Sequence, residues 1–420
     1  MNRSTWAYFG SYSLSLLGNG IASIVLPLLV LARTGDILAA GIVASVTSAV
    51  SAVIGLFAGV LIDRINRRTI SIISDVISAS AVVALPIVDA TVGLNLAWFI
   101  GLAVLGAFGD APGMTAREAL LPKLAKLNNE RPDTLDRLVG TREALSGALM
   151  LAGPGLGGLL IAVFGVGSTT LFVTAATTLT AAVASYGIQH RAGDPDPLEC
   201  ADKHQYRSPM VAVLSELGVA LRFLFSQRLI LGATVLTALF VATSAALQTS
   251  LLPAFFAAED LPGLTGLVVA CLSAGSLVGA GIYAVTVGKI SRRTWFVVGM
   301  IGTLVGYIGL GVMATPWLVI TAAVVIGLAG APVSAVIGVA TIEATPDQMR
   351  GRVLSAQNTI MLAAPAVSSA PIAAVASNWG LPAAGLSLAT VIGIVVAVSI
   401  VTPAFKNLDS VLPSTDADEM

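Results

Sequence analysis

Charge is what this sequence has least of. Asp, Glu, Lys and Arg make up 11% of its 420 residues, against about 25% in soluble domains. Histidine and cysteine are nearly missing as well. His190 and His204 are the only histidines, and neither sits in an H-E-x-x-H pattern that could hold zinc. Cys200 and Cys271 are far apart in sequence, so neither a disulfide framework nor a metal site is expected. The chain has no G-x-x-x-x-G-K-[ST] phosphate loop and no G-x-S-x-G nucleophile turn. ATP-driven work and membrane-embedded hydrolysis are therefore both unsupported, and no cofactor is expected. No basic patch is large enough to argue for nucleic acid. Met1 to Gly10 lacks the order of a removable signal peptide, so the first apolar run reads as a permanent span.

What is present is hydrophobicity: 56% of residues are apolar and the mean hydropathy is +0.91. A hydrocarbon layer about 30 Å thick takes roughly 20 apolar residues of helix to cross. Runs of that length recur down the whole chain, and they are continuous rather than alternating, which argues against a membrane barrel. Twelve spans are expected, at 5–32, 37–62, 69–90, 95–122, 134–164, 168–190, 228–257, 263–288, 294–313, 316–343, 353–377 and 381–404. The fold class that follows is an all-α polytopic membrane protein. Its expected units are a first six-helix bundle at 1–190, a connecting segment at 191–227, a second bundle at 228–404 and a tail at 405–420.

Basic residues cluster in alternate connections: Arg64, Arg67 and Arg68; Lys123, Lys126, Arg131 and Arg137; Arg191, Lys203, Arg207, Arg222 and Arg228; Lys289, Arg292 and Arg293; Arg350 and Arg352. The opposite side carries only Arg33. By the positive-inside rule both termini are cytoplasmic in a multi-pass cell-membrane protein. In the connecting segment Leu214, Leu217, Leu221 and Leu224 recur at helical spacing opposite Ser215, Glu216 and Arg222. That periodicity predicts an amphipathic helix on the membrane surface. The run Asp63-Arg64-Ile65-Asn66-Arg67-Arg68-Thr69 after span 2 aligns with Gly288-Lys289-Ile290-Ser291-Arg292-Arg293-Thr294 after span 8. Repeated halves with a site between them are a common build of secondary transporters.

Gly59-Val60-Leu61-Ile62-Asp63-Arg64-Ile65-Asn66-Arg67-Arg68 resembles motif A of the major facilitator superfamily, G-x-L-a-D-r-x-G-r-r, in both residues and place. Asn66 stands where Gly is usual, and Asn tolerates a left-handed turn best after Gly. The resemblance implies that Asp63, Arg64 and Arg67 help hold the two halves together on the cytoplasmic side. Asp75, in the first turns of span 3, is expected to support this loop. In span 5, Gly140 and the run Gly153-Pro154-Gly155-Leu156-Gly157-Gly158 look like the antiporter motif C, with Leu149 in place of its middle Gly. A Gly-rich packing face with no bearing on direction reads the same way. Gly109-Asp110-Ala111-Pro112-Gly113-Met114-Thr115-Ala116-Arg117-Glu118 and Arg350-Gly351-Arg352-Val353 are similar to the Tap-type multidrug exporters of the drug:proton antiporter group. The resemblance covers nearly the whole chain. It implies twelve helices in two bundles, a monomer, and export of a small molecule against protons.

An ionisable group inside the bilayer costs about 2.5–3.5 kcal/mol on insertion scales, so each is a functional candidate. Asp110 lies near the middle of span 4, with Met114 and Arg117 at i+4 and i+7 on the same face. A carboxylate there suits reversible proton carriage; a permanent Asp110–Arg pair that glues helices is the competing reading. Arg117, Glu118, Arg142 and Glu143 are expected to form one network between spans 4 and 5. Glu343 reads as a gate or topology residue, and Asp36, Asp89, Glu259 and Asp260 as rim charges. No acid occurs from Leu261 to Ile342, so a protonation switch belongs in the first half. Asn19, Met114, Thr243 and Gln248 are candidate cavity residues. So weakly polar a cavity favours drug-like or amphiphilic solutes over sugars or phosphates. A siderophore or lipid exporter, or a symporter of the same fold, remains the alternative.

Overall fold

The computed structural model describes residues 3–62, 64–127, 134–194, 209–406 and 408. Among them twelve helices are long and apolar enough to cross a membrane, and no strand forms beyond one isolated bridge between Val287 and Ile290. In chain order the helices are α1 (Arg3–Thr34), α2 (Ile37–Ile62), α3 (Arg67–Thr91), α4 (Leu96–Leu127), α5 (Thr134–Phe164) and α6 (Ser168–Ser185). A short turn, α7 (His190–Gly193), and a connecting helix, α8 (Pro209–Ser226), follow. Span 7 is α9 (Arg228–Ala246), a π turn at Leu247–Leu251 and α10 (Leu252–Ala258). Then come α11 (Leu264–Thr286), α12 (Arg292–Val312), α13 (Pro316–Ala344), α14 (Asp347–Trp379) and α15 (Leu381–Val401). Large apolar side chains such as Leu277, Val285, Val367 and Trp379 stand exposed on the outside. Water would penalise that surface; lipid does not.

The packing repeats. In the first half α3 packs on α4 and α6, and α1 on α5 and α6; in the second, α12 packs on α13 and α15, and α9 on α14 and α15. The basic motif repeats with it. Arg68 Nε and Nη2 donate to the carbonyls of Ser185 and Tyr186 at 3.2 and 2.8 Å, at the end of α6. Arg293 Nη2 and Nη1 donate to Ile400 and Phe405 at 2.8 and 2.7 Å, at the end of α15. The last carbonyls of a helix have no partner within it, and each guanidinium supplies one. This clamp is also why span 6 stops at Ser185 rather than continuing to 190.

Two expectations are corrected. Asn66 has φ −56°, so it makes no left-handed turn. Its side chain instead caps α3, accepting from the N–H groups of Arg68 and Thr69, as Ser291 caps α12 by accepting from Thr294. The amide of Asn66 then donates to His190 O at 3.0 Å and to Asp194 Oδ1 at 2.8 Å, pinning α7. The connecting segment forms the helix α8, which packs against α2, α9 and α14, with Leu224 buried beside Ile230 and Val353. Finally, the tail does not begin free at 405. Phe405 is buried, stacks on Phe296 at 5.1 Å, and Leu408 is fully enclosed.

Two seams join the first six spans to the last six: α2 on α14 and α5 on α11. The end of the bundle bearing the 64–68 and 289–293 runs is here called the basic end, and the opposite end, bearing Arg33, the far end. At the far end the seams are backbone-close. A Cβ on Gly158 would come within 2.9 Å of Gly266 Cα, and one on Gly41 within 3.2 Å of Ala370 Cα. Ser45 Oγ accepts from Ala370 N at 2.9 Å. Toward the basic end a Cβ on Gly140 or Gly147 would meet nothing within 4 Å.

Candidate functional site

A cavity of about 280 Å³ lies among α1, α2, α3, α4 and α6. Its polar lining is Asn19, Ser23, Thr47, Ser48, Ser78, Asp110, Thr174, Thr178 and, from the π turn of span 7, Thr249; its apolar lining includes Val82, Leu85 and Phe99. Asp110 is the one charged side chain in it. Gly101, Leu105 and Phe108 form the outward stripe of α4, and Asp110 falls about 200° around from Phe108 at 3.6 residues per turn. Its exposure is thus to the cavity and not to lipid. The flanking glycines explain how it is held. A Cβ on Gly113 would come within 2.8 Å of Ser74 Cβ, and Gly109 abuts Ser74 and Ser78. Only residues lacking a side chain let α3 approach this closely, and Ser78 Oγ then donates to Asp110 Oδ1 at 2.6 Å.

Arg117 does not join Asp110, nor the expected network with Glu118, Arg142 and Glu143. Its guanidinium pairs with Asp75, the two side chains being 2% and 4% exposed. Ser15 closes the triangle, accepting from Arg117 Nη1 and donating to Asp75 Oδ1, each at 3.1 Å. Tyr8 OH donates to the Arg117 carbonyl at 3.2 Å. This buried cluster ties α1, α3 and α4 together. Asp75 thereby serves these helices, correcting its assignment to the 63–68 loop. The other three residues do meet: Arg142 bonds Glu143 and lies 4.0 Å from Glu118, both acids being more than half exposed. Charge there is cheap because water reaches it.

Of the motif A residues, Asp63 lies outside the described residues; Gly59 is in α2, Arg64 is exposed, and Arg67 Nη1 donates to Ala119 O at 3.1 Å. Its counterpart Arg292 forks onto Glu343 at 2.6 and 3.0 Å, so Glu343 is the partner of a repeated basic residue. In span 5 the glycines divide their work. Gly153 and Gly157 lie against Gly20 and Ile21 of α1, with Pro154 buried beside them, whereas Gly158 faces Gly263, which precedes α11, and Gly266 within it.

The cavity assignments need revision. Asn19 lines the cavity and Met114 does not. Thr243 is buried inside the second half, 3.1 Å from Tyr307 OH. Gln248 is in the π turn, but its neighbour Thr249 lines the cavity. Sequence reasoning also passed over Ser15, Ser78 and Thr178. One signal existed: Ser71, Ser74, Asp75 and Ser78 recur at helical spacing on α3 and are all buried, a polar stripe in an apolar helix.

The chain is 30% identical over 397 residues to the multidrug efflux pump Tap of Mycolicibacterium fortuitum, covering 93% of this chain and 94% of that protein. To the Tap pump of Mycobacterium tuberculosis it is 30% identical over 410 residues, 96% and 93% of the two chains. Among solved structures, a POT family transporter in complex with 5-aminolevulinic acid superposes with TM-score 0.72 at 13% identity, over 97% of each chain. A bacterial homologue of the human lysosomal transporter Spinster, inward-facing and unoccupied, gives 0.69 at 13% identity, over 94% of this chain and 96% of that one. Likeness at that identity speaks for the fold. Residues 8–262 and 234–414 each match the Major Facilitator Superfamily, and with twelve apolar helices in this arrangement the chain belongs to that family as a multi-pass membrane protein.

Proposed function

We propose that this chain is a proton-coupled exporter of drug-like or amphiphilic small molecules, working by alternating access between two six-helix halves. The observation that carries the reading is the single carboxylate, Asp110, on an otherwise uncharged cavity wall. The basic end is cytoplasmic in this reading, following the Lys/Arg bias, with both termini there. The cavity then fills from the cytoplasm while the far-end seams are shut, and the halves rock to open it outward. Proton and substrate alternate at Asp110: the protonated, neutral acid resets the empty carrier, and the ionised form receives the solute. The inner gate is assigned to the Arg142–Glu143–Glu118 group, which the ion pairing of Arg142 with both acids supports, and the buried Asp75–Arg117–Ser15 cluster is assigned to keeping its half rigid. The identity of the Tap relatives as multidrug efflux pumps supports the substrate class. The cavity is enclosed by one chain, so the working unit is proposed to be a monomer.

The test is ethidium efflux from vesicles carrying an imposed pH gradient. Wild-type protein is expected to export the dye only while the gradient lasts. Asp110→Asn is expected to abolish the gradient dependence, and efflux equal to wild type in that variant would remove Asp110 from coupling. Inward accumulation driven by the gradient would overturn the direction.

A further inference from the structure

The polar groups of the cavity are nearly all of one hydrogen-bonding kind. A Ser or Thr hydroxyl on an apolar helix turns its proton onto a carbonyl one turn back. A carbonyl can only accept, so chemistry fixes the direction of each such bond. On α1 and α2, Ser23 Oγ donates to Gly20 O and Thr47 Oγ1 to Val43 O, each at 2.7 Å. On α6, Thr174 Oγ1 donates to Thr170 O at 2.8 Å and Thr178 Oγ1 to Thr174 O at 3.3 Å. Thr249 Oγ1 donates to Ala245 O at 2.8 Å, with Ser369 Oγ at 3.4 Å as its other acceptor. Ser78 gives its proton to Asp110. A hydroxyl has one proton and keeps two acceptor sites, so these side chains offer the cavity lone pairs and no protons. With the Asp110 carboxylate among them, the wall accepts almost everywhere. Of the polar lining, only Asn19 and Ser48 have protons that no other described group takes, and both stand on the α1–α2 side.

We propose that the cavity selects its solutes by their hydrogen-bond donors and not by charge alone. Its substrates are apolar-bodied molecules edged with N–H or O–H groups, and an analogue of the same charge with its donors blocked is rejected. Such an analogue leaves wall oxygens unpaired, and a site built to bond a donor discriminates strongly against a ligand that lacks it. A solute acceptor finds a partner only on the side of Asn19 and Ser48. The inference deepens the export reading above and rests on it, with Asp110 ionised when the solute enters.

The experiment measures binding of two dyes to the purified full-length protein by fluorescence anisotropy. Proflavine and acridine orange share a planar, monocationic acridinium core, and the exocyclic N–H groups of the first are all replaced by methyl groups in the second. A site that reads only charge and apolar surface holds the methylated dye as well or better. Here proflavine is expected to bind at least about tenfold tighter, the scale of one or two hydrogen bonds. Thr178→Val keeps the shape and removes an acceptor. It should weaken proflavine about three- to tenfold and leave acridine orange within about twofold, and Thr47→Val, on another helix, should do the same. Equal affinity for the two dyes, or equal weakening of both in both variants, would overturn the inference and leave the export reading standing. Binding of neither dye to the wild-type protein would bring down the two together.

Discussion

Asp75 and Arg117 place two opposite charges where almost no water reaches them. Removing one partner of such a pair costs about 3–5 kcal/mol, because the other charge is stranded, whereas replacing both by apolar groups is close to neutral. Arg117→Met is therefore expected to unfold well below wild type in detergent, and Asp75→Leu with Arg117→Met to recover most of the loss. Equal midpoints for the single and double variants would refute the cluster's structural role. The double variant should also retain pH-driven efflux, which separates a lock from a coupling group. Asn66 offers a smaller case. Asn66→Ala loses an N-cap worth about 1 kcal/mol and the bonds to His190 and Asp194, so faster amide exchange is expected over residues 190–194. Asn66→Gly should restore the cap in part but not the exchange protection.

At the scale of the helix, continuous apolar runs made the twelve spans legible, since length and hydropathy alone decide whether a segment can cross. Ends and interruptions were not legible in the same way. Span 6 stops at Ser185 because Arg68, distant in sequence, satisfies its last carbonyls. The π turn leaves no periodic trace, because an inserted residue shifts the register that a periodicity argument depends on; the sequence points to Thr243 and Gln248, whereas Thr249 lines the cavity. Asp110 was found from its chemistry alone, as a carboxylate in an apolar run, while its partner Ser78 depended on how closely two glycines let α3 approach. The two arginine clamps make a prediction of their own. Arg68→Ala should fray the end of α6 and Arg293→Ala the end of α15, each seen as local proteolytic nicking near 186–190 or 402–406. Nicking at both places in either single variant would show that the clamps do not act within separate halves.

Across the whole molecule, the far-end closure rests on glycine backbones in contact. Gly158→Leu puts a branched side chain where Gly266 stands within van der Waals reach, and relief requires the α5–α11 seam to part. With Cys200→Ser, Cys271→Ser and Ala376→Cys in the background, the variant is expected to react faster with a membrane-impermeant maleimide added at the far end and to lose most of its efflux. Gly140→Leu, facing open space, should be tolerated in the same assay. Among the described residues no ion pair bridges the halves at this end; the Arg33–Asp89 pair there links α1 to α3 of one half. Contacts made of dispersion and hydroxyl bonds, Ser45 with Ala370 N and Ser273 with Met150 O, have nothing for dissolved ions to screen. The outward-opening step should therefore run at the same rate in brackish and in fresh surroundings, which frees the transporter from the salinity of whatever bathes the cell.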